Sequence, residues 1–138
     1  MTALQVHDFF EGYVRAFVDR DIDGICVRWD YPAVLVSGGR QVALDREAFR
    51  RNLIRLCAFY DAQGLARAEK KVIGLVTLTE TTAAVRTRDR VSNASGALIA
   101  EWEHAYLMSD TADGLKVAAA LPDDENRAWR ERGTPLSI

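Results

Sequence analysis

The chain has 138 residues, 49% of them apolar and 28% charged, a composition that is typical of one globular domain and excludes a disordered or fibrous chain. The net charge is −2 and the basic residues are scattered, so we expect no nucleic-acid partner. The sequence shows neither an apolar run of the roughly 18 residues that a membrane span needs nor a signal peptide at its start, and we expect no membrane partner and a cytoplasmic protein.

The first half of the chain predicts three helices. Apolar residues that recur every three or four positions indicate an amphipathic helix over residues 4–20. Asp21 is suited to cap a short second helix, which carries Trp29 and ends before Pro32, because the residue before a proline avoids helical angles. Asp45 can cap a third helix, with Gly64 as its C-terminal stop. Between the last two helices a small hairpin is predicted, with strands at residues 33–36 and 40–44 around a turn at 37–39.

The second half predicts strands, because the period of the apolar residues changes to two. Strands are predicted over residues 71–80 and 83–92, followed by a hairpin over residues 97–121 with its turn at 110–114. Helices on one side of an antiparallel sheet make an α+β fold. We therefore predict a single domain over residues 1–138, with a core at 5–121 and a tail at 122–138. In it, three N-terminal helices pack on a strongly curved antiparallel sheet that forms a cone.

The first strand of the long hairpin alternates along its length. One face carries Glu101, Glu103, Ala105 and Leu107, and the other carries Trp102, His104, Tyr106 and Met108. Two acids on a half-apolar face are typical of a pocket wall. The alternation alone fits two glutamates that point to water equally well, since glutamate is usually exposed.

Two segments resemble the nuclear-transport-factor-2-like superfamily, which includes ketosteroid isomerase and the SnoaL-like polyketide cyclases. The first is YVRAFVDRDIDGICVRW, residues 13–29, which resembles the first two helices of those enzymes. The second is EHAYLMSDTADGLKV, residues 103–117, which resembles their central hairpin. The resemblance covers residues 5–121 and implies a cystatin-like α+β roll, a cone whose interior is lined by the face that carries Glu101 and Glu103.

The resemblance also implies site residues. Tyr13 falls where ketosteroid isomerases place the tyrosine of their oxyanion hole, and Glu103 where they place a carboxylic acid that an apolar site keeps protonated. Their aspartate base falls at Ser37, whose neutral hydroxyl cannot abstract a carbon-bound proton unaided. The candidate catalytic residues are Tyr13, Glu103 and Asp30, the acid nearest to Ser37; the candidate ligand-binding residues are Phe17, Trp29, Ser37, Glu101, Ala105 and Leu107. A core tyrosine satisfied by a buried glutamate, and an exposed loop aspartate, are the alternatives for the three catalytic candidates.

No metal or cofactor site is expected. Residues 19–24, DRDIDG, match the first half of a calcium loop, but Asp30 stands at the twelfth position, where the loop needs a bidentate glutamate. The chain has two histidines and two cysteines, too few for a clustered metal site of these ligands, and it has no glycine-rich phosphate loop. Cys26 and Cys57 lie among apolar neighbours in predicted helices, and we expect both to be free thiols.

The predicted faces of the first strand of the long hairpin lead to two further expectations, a partner and a class of function. If the face with Glu103 lines the cone, Trp102, His104 and Tyr106 form the outer face of the sheet, and an aromatic outer face predicts a homodimer contact. A catalytic His104 is the alternative. The predicted function is a pocket for a small hydrophobic, oxygen-bearing ligand, with cofactor-free acid–base catalysis by an isomerase, cyclase or dehydratase within that class. The alternative is a non-catalytic dimerisation or partner-binding module with a filled cone. A cavity of roughly a few hundred Å³ favours the ligand.

Overall fold

Four helices and six strands make up residues 1–136, the part of the chain that the computed structural model describes. In chain order they are α1 (Ala3–Val18), α2 (Ile22–Cys26), β1 (Trp29–Ser37), β2 (Arg40–Leu44), α3 (Arg46–Ala62), β3 (Arg67–Thr77), β4 (Thr82–Ser92), β5 (Leu98–Thr111), β6 (Gly114–Leu121) and α4 (Asp123–Glu131). The sheet is curved and unclosed, and the helices α1 to α3 precede the strands β3 to β6. The predicted α+β class is confirmed.

Local side chains decide where the helices begin. Thr2 and Gln5 form a capping box at the start of α1, with each side chain bonded to the backbone of the other. Asp21 caps α2 and Asp45 caps α3, as the sequence predicts. The predicted extension of the second helix towards Pro32 is wrong, because α2 ends at Cys26 and Trp29 opens β1, where it pairs with β6.

The six strands lie side by side in the order β2-β1-β6-β5-β4-β3. Neighbouring strands are antiparallel except β1 and β6, which run parallel. The prediction of a purely antiparallel sheet is therefore corrected at this one pair. A parallel pair needs a long crossover connection, which the chain from β2 through β5 supplies.

The space between the helices and the inner face of the sheet is filled by apolar side chains. Val6 and Phe10 of α1 belong to the same buried cluster as Val85 and Met108 of the sheet, and all four are at most 1% exposed. Both cysteines are buried free thiols, as predicted from the sequence. The burial of such side chains is the main favourable contribution to folding.

The structure reverses the predicted faces of β5. Trp102, His104 and Tyr106 are 7%, 8% and 4% exposed and belong to the inner face. The outer face, which is half-buried or exposed, carries Glu101, Glu103, Ala105 and Leu107. The interpretation that these four residues line the cone is therefore wrong, and so is an outer contact made of Trp102, His104 and Tyr106. Homodimerisation itself stays a prediction.

The arginines of β4 explain the reversal. Antiparallel pairing sets Arg88 opposite Glu103 and Arg90 opposite Glu101, so these four side chains share one face. Arg88 Nη2 lies 3.2 Å from Glu103 Oε1, and Arg86 contacts the same carboxylate. Burying three arginines would cost far more than burying the alternate residues of β4, so the arginine face meets water and takes the glutamates with it.

The predicted tail contains a helix, α4, that packs against β5. Trp129 of α4 is fully buried, and its ring centroid lies 5.6 Å from that of Trp102 and 5.1 Å from that of Phe59. Just after the helix, the Arg132 guanidinium donates a hydrogen bond of 2.9 Å to the carbonyl of Ile99. Helix α4 is thus part of the core rather than an appendage to it.

Candidate functional site

A cavity of about 110 Å³ lies between α1, α3, the inner face of the sheet and the first turn of α4. Aromatic side chains supply much of its wall: Tyr13, Phe17, Trp29, Phe49, Tyr60, Trp102 and Tyr106. The volume is below the roughly 300–1,000 Å³ of sites for drug-sized molecules. The cavity therefore suits a compact ligand with an apolar body.

Three of the predicted site residues meet in this cavity. Tyr13 and Phe17 come from α1, one turn apart, and Trp29 comes from the start of β1. The indole N–H of Trp29 donates a hydrogen bond of 3.1 Å to the hydroxyl oxygen of Tyr13. The resemblance of residues 13–29 implied a site role for Tyr13, although Trp29 lies on a strand and not on the predicted second helix.

The other predicted site residues lie elsewhere. Ser37, at the end of β1, does not line the cavity and bonds to α4 instead. Asp30 is exposed, and its carboxylate accepts a hydrogen bond of 3.0 Å from the backbone N–H of Tyr31. Glu103 faces two arginines on the outer side of the sheet, so it is not the acid of an apolar pocket that the resemblance implied. The same outer face holds Glu101, Ala105 and Leu107.

Apart from tyrosines and the exposed Glu69, four ionisable side chains that are not among the predicted site residues line the cavity: Lys70, Asp89, His104 and Glu125. We call them the buried polar cluster. Lys70 and Asp89 are directly opposite each other on β3 and β4, and His104 follows on the inner face of β5. Glu125 comes from α4, one turn before Trp129. Burying such groups is costly unless they are paired, so their partners decide what the site can do.

Lys70 and Asp89 form a buried ion pair. Lys70 Nζ lies 2.5 Å from Asp89 Oδ2, and the two side chains are 8% and 7% exposed. The same ammonium group donates a hydrogen bond of 2.6 Å to the hydroxyl oxygen of Tyr106, and Thr87 donates one of 2.8 Å to Asp89. Lys70 Nζ also lies 4.9 Å from the centre of the Tyr106 ring, within the range of a cation–π contact. Both charges are therefore compensated inside the fold.

His104 and Glu125 face each other at the other side of the cluster. Nδ1 of His104 lies 3.7 Å from Glu125 Oε1, which is too long for a hydrogen bond, and it has no partner among residues 1–136. The ring stacks on Tyr106 at 4.5 Å between centroids. Burial, together with the positive charge of Lys70, lowers the pKa of His104 well below 6.5, so the imidazole is neutral at pH 7.

Glu125 is held by two hydrogen-bond donors. Its Oε2 accepts hydrogen bonds from the Tyr60 hydroxyl at 2.5 Å and from the Trp129 indole at 3.1 Å. Burial raises the pKa of Glu125 above 4.5, although both hydrogen bonds act in the opposite direction. Its Oε1 is left facing His104. The indole N–H of Trp102, on the same wall, has no partner in the described part of the chain.

The structure also limits what the site can hold. Within residues 1–136, no three His, Cys, Asp or Glu side chains are grouped so that they could bind a metal ion. None of the helices in the same range combines the length and the apolar composition that a membrane span needs. The chemistry available in the cavity is therefore that of its imidazole, carboxylates, phenols and ammonium group.

Three solved structures share this fold. A ketosteroid isomerase-like protein from Erwinia carotovora atroseptica is 18% identical, with a TM-score of 0.64, and the match covers 86% of this chain and 92% of that one. A Nostoc punctiforme protein of unknown function with a cystatin-like fold is 11% identical, with a TM-score of 0.67 and coverage of 88% and 91%. The protein Aln2 from a Streptomyces species is 13% identical, with a TM-score of 0.72 and coverage of 93% of both chains.

At these identities the three structures are informative about the fold alone. Among curated proteins, none matches the chain. Residues 4–125 match the family described as NTF2-like protein (DUF6841), which spans α1 through the first turn of α4. The cone, the central hairpin and this match agree with the resemblance that residues 13–29 and 103–117 carry. The chain belongs to this family of NTF2-like proteins.

Proposed function

We propose that the protein binds a small ligand with a carbonyl or hydroxyl oxygen in the cavity and transfers a proton on it without a cofactor. The observation that carries the proposal is the buried polar cluster, in which His104 and Glu125 face each other within an aromatic wall. The pKa of His104 is lowered and that of Glu125 is raised, and shifted pKa values in a cleft are typical of groups that act in acid–base chemistry. The class of reaction is that of an isomerase, dehydratase or cyclase.

Two tyrosines offer hydrogen-bond donors to the oxygen of such a ligand. Indole N–H and ammonium groups only donate, so the Tyr13 oxygen accepts from Trp29 and the Tyr106 oxygen accepts from Lys70. Each phenol then keeps its own hydrogen for another acceptor. Burial raises the pKa of both phenols well above 10.0, so both are protonated at neutral pH. They are suited to stabilise negative charge that develops on a ligand oxygen.

His104 is the proposed base. Its Nδ1 faces Glu125, and a shift of less than about 1 Å would let the Nδ1–H donate to the Glu125 carboxylate. The other ring nitrogen, Nε2, is then the atom that accepts a proton from the ligand, and Glu125 stabilises the imidazolium that results. In an isomerase the same Nε2 returns the proton to a different carbon.

Exchange of the α-hydrogens of cyclohexanone in D₂O, followed by NMR, tests this proposal without knowledge of the natural ligand. We expect the wild-type protein to accelerate exchange, and His104→Gln to lower the rate by about 10²–10⁴-fold. Tyr106→Phe removes one donor to the developing oxyanion and should lower the rate by about 10²-fold. His7→Gln changes the other histidine, which is exposed on α1, and should leave the rate unchanged. Equal exchange by wild type and His104→Gln would contradict the proposal.

The small cavity favours a second candidate, a module that binds a partner or dimerises and catalyses nothing. A volume of about 110 Å³ is what a cone filled mainly by its own side chains leaves over. Quenching of Trp29 and Trp102 fluorescence by cyclohexanone separates the two candidates, since both indoles line the cavity. Saturable quenching together with exchange supports the enzyme. Absence of both supports the module.

A further inference from the structure

The turn between β1 and β2 is tied to the first turn of α4. The Ser37 hydroxyl donates a hydrogen bond of 2.6 Å to Asp123 Oδ1, and the backbone N–H of Gly38 donates one of 2.8 Å to the same oxygen. The Asn126 amide donates one of 3.0 Å to Ser37 Oγ. We call these four residues the turn clamp. It joins two segments that lie 86 positions apart in the chain.

Within residues 1–136, the start of α4 is joined to other elements by the side-chain hydrogen bonds of the turn clamp and by those of Glu125. Pro122 stands at the N-cap and makes no side-chain hydrogen bond to the helix. The far end of the helix is held separately, by Arg132. Helix starts without a cap leave backbone N–H groups unpaired and fray easily. Beside the bond between Glu125 and Tyr60, the hydrogen bonds of Ser37 and Asp123 therefore help to fix the position of the first turn.

Glu125 lies in that first turn, between Asp123 and Asn126. Its carboxylate points into the cavity, whereas Asp123 is exposed on the opposite side. The distance of 3.7 Å between Glu125 and His104 is just beyond hydrogen-bond range. A displacement of the turn by one or two ångströms would decide whether the two groups can bond at all.

We propose that Ser37 and Asp123 are positioning residues: their hydrogen bonds hold the first turn of α4 so that the Glu125 carboxylate stays beside Nδ1 of His104. Neither residue lines the cavity, so neither can touch a ligand there. The inference rests on the proposed function for the use that is made of the His104–Glu125 pair, but its geometry and its test are independent of any reaction.

The effect of the clamp can be read from His104 itself. The ionisable groups around the imidazole are Glu125 on α4, Lys70 on β3, Asp89 on β4, Tyr106 on β5, Tyr60 on α3 and Tyr13 on α1. Of these, Glu125 stands on the element that the clamp holds. When the first turn moves outwards, water reaches the ring and the desolvation that lowers the pKa of His104 is relieved. The pKa of His104 then rises towards 6.5.

NMR of the imidazole ring provides the test. The chain has two histidines, so His7→Gln leaves His104 as the sole imidazole signal. In this background we expect Ser37→Ala and Asp123→Ala, each of which removes a partner from the clamp, to raise the midpoint of the His104 titration. Ser37→Thr keeps the hydroxyl and should behave as the parent does.

Asp124→Ala is the matched control. It removes a carboxylate from the same helical turn, but that carboxylate accepts its side-chain hydrogen bond within residues 1–136 from Arg127 at the surface. Alanine is used at both positions because an asparagine oxygen could still accept the bonds from Ser37 and Gly38. If Ser37→Ala fails to fold, Asp123→Ala and Ser37→Thr still decide the question. The inference is overturned if His104 titrates in Asp123→Ala as it does in the parent, or if Asp124→Ala moves the His104 midpoint equally. A shift in Asp123→Ala alone supports the clamp even where cyclohexanone exchange is absent, so the two proposals can fail separately.

Discussion

Lys70→Met removes one half of the buried ion pair and leaves the other half in place. Methionine has a similar length and no charge, so the cavity wall keeps its bulk. Asp89 keeps one hydrogen-bond donor, Thr87, for a carboxylate that is 7% exposed. Tyr106 loses the donor to its oxygen. The protein therefore retains a buried negative charge without a cation beside it.

The expected cost follows from the burial of the pair. Removing one partner of a buried ion pair lowers the free energy of unfolding by about 3–5 kcal/mol, against a total of about 5–15 kcal/mol for a domain. An unfolding entropy of about 2.1 cal/mol/K per residue gives about 0.3 kcal/mol/K for the 138 residues. The melting temperature should therefore fall by about 10–17 °C. The double variant Lys70→Met/Asp89→Asn should recover most of this loss, because no unpaired charge remains.

Urea unfolding at pH 7, followed by far-UV circular dichroism, measures these differences. Arg51→Met is the matched control, since Arg51 pairs with Glu47 on the exposed face of α3 and both side chains are at least 60% exposed. The free energy of unfolding of Arg51→Met should differ from that of wild type by no more than about 0.5 kcal/mol. A loss for Lys70→Met as small as that of the control would refute the reasoning, because it would mean that Asp89 is hydrated and the pair is not buried.

Three further predictions concern the acid, the thiols and the assembly. The raised pKa of Glu125 means that its stabilising contribution is present below the unfolded value of 4.5 and is lost as pH rises through the folded pKa. As pH rises from 4 to 8, the free energy of unfolding of Glu125→Gln, measured with urea, should therefore increase relative to that of wild type. If the difference between the two proteins is the same at both pH values, Glu125 is not buried. Cys26 and Cys57 should react slowly with a thiol reagent in the native protein and rapidly after unfolding; fast native labelling would place them at the surface. Sedimentation should show a homodimer. Leu121 lies on the outer face of the sheet, and Leu121→Arg should weaken this dimer. A wild-type protein that stays monomeric at high concentration would contradict the prediction.

The parts of the fold that local chemistry determines could be predicted from the sequence. Asp21 and Asp45 were predicted as caps because a cap needs only a carboxylate three residues before a free N–H. The alternation along β5 was equally local. Which face points inwards is a property of the pairing with β4, and the arginines opposite Glu101 and Glu103 decide it. The sequence held this signal, since a turn near residue 95 places Arg88 against Glu103.

The site could be predicted only in part, for the same reason. Tyr13 and Phe17 lie one turn apart on one helix, so their common direction follows from the helical period. Lys70 and Asp89 meet through the register of β3 on β4, which a bulge between Val72 and Gly74 also affects. Glu125 reaches the cavity because α4 docks on β5, a contact that no local pattern in residues 122–138 indicates. The alternation of β5 groups His104 with Trp102 and Tyr106, but it leaves open that this face points inwards.

The parallel pairing of β1 with β6 has a consequence for the order in which the chain folds. The hairpins β3–β4, β4–β5 and β5–β6 join strands that are neighbours in sequence, whereas Trp29 of β1 pairs with Val117 of β6. Closing so long a loop costs conformational entropy before the contacts between the two strands can form. We expect the three hairpins to form first and the seam between β1 and β6 to close last. Substitutions along that seam, such as Val34→Ala opposite Ala119, should then speed unfolding and leave the folding rate nearly unchanged, because the seam is absent from the transition state. The stability of the pairing between β1 and β6, on the side of the sheet away from the β3–β4 hairpin, would then determine the unfolding rate and so the lifetime of the native protein.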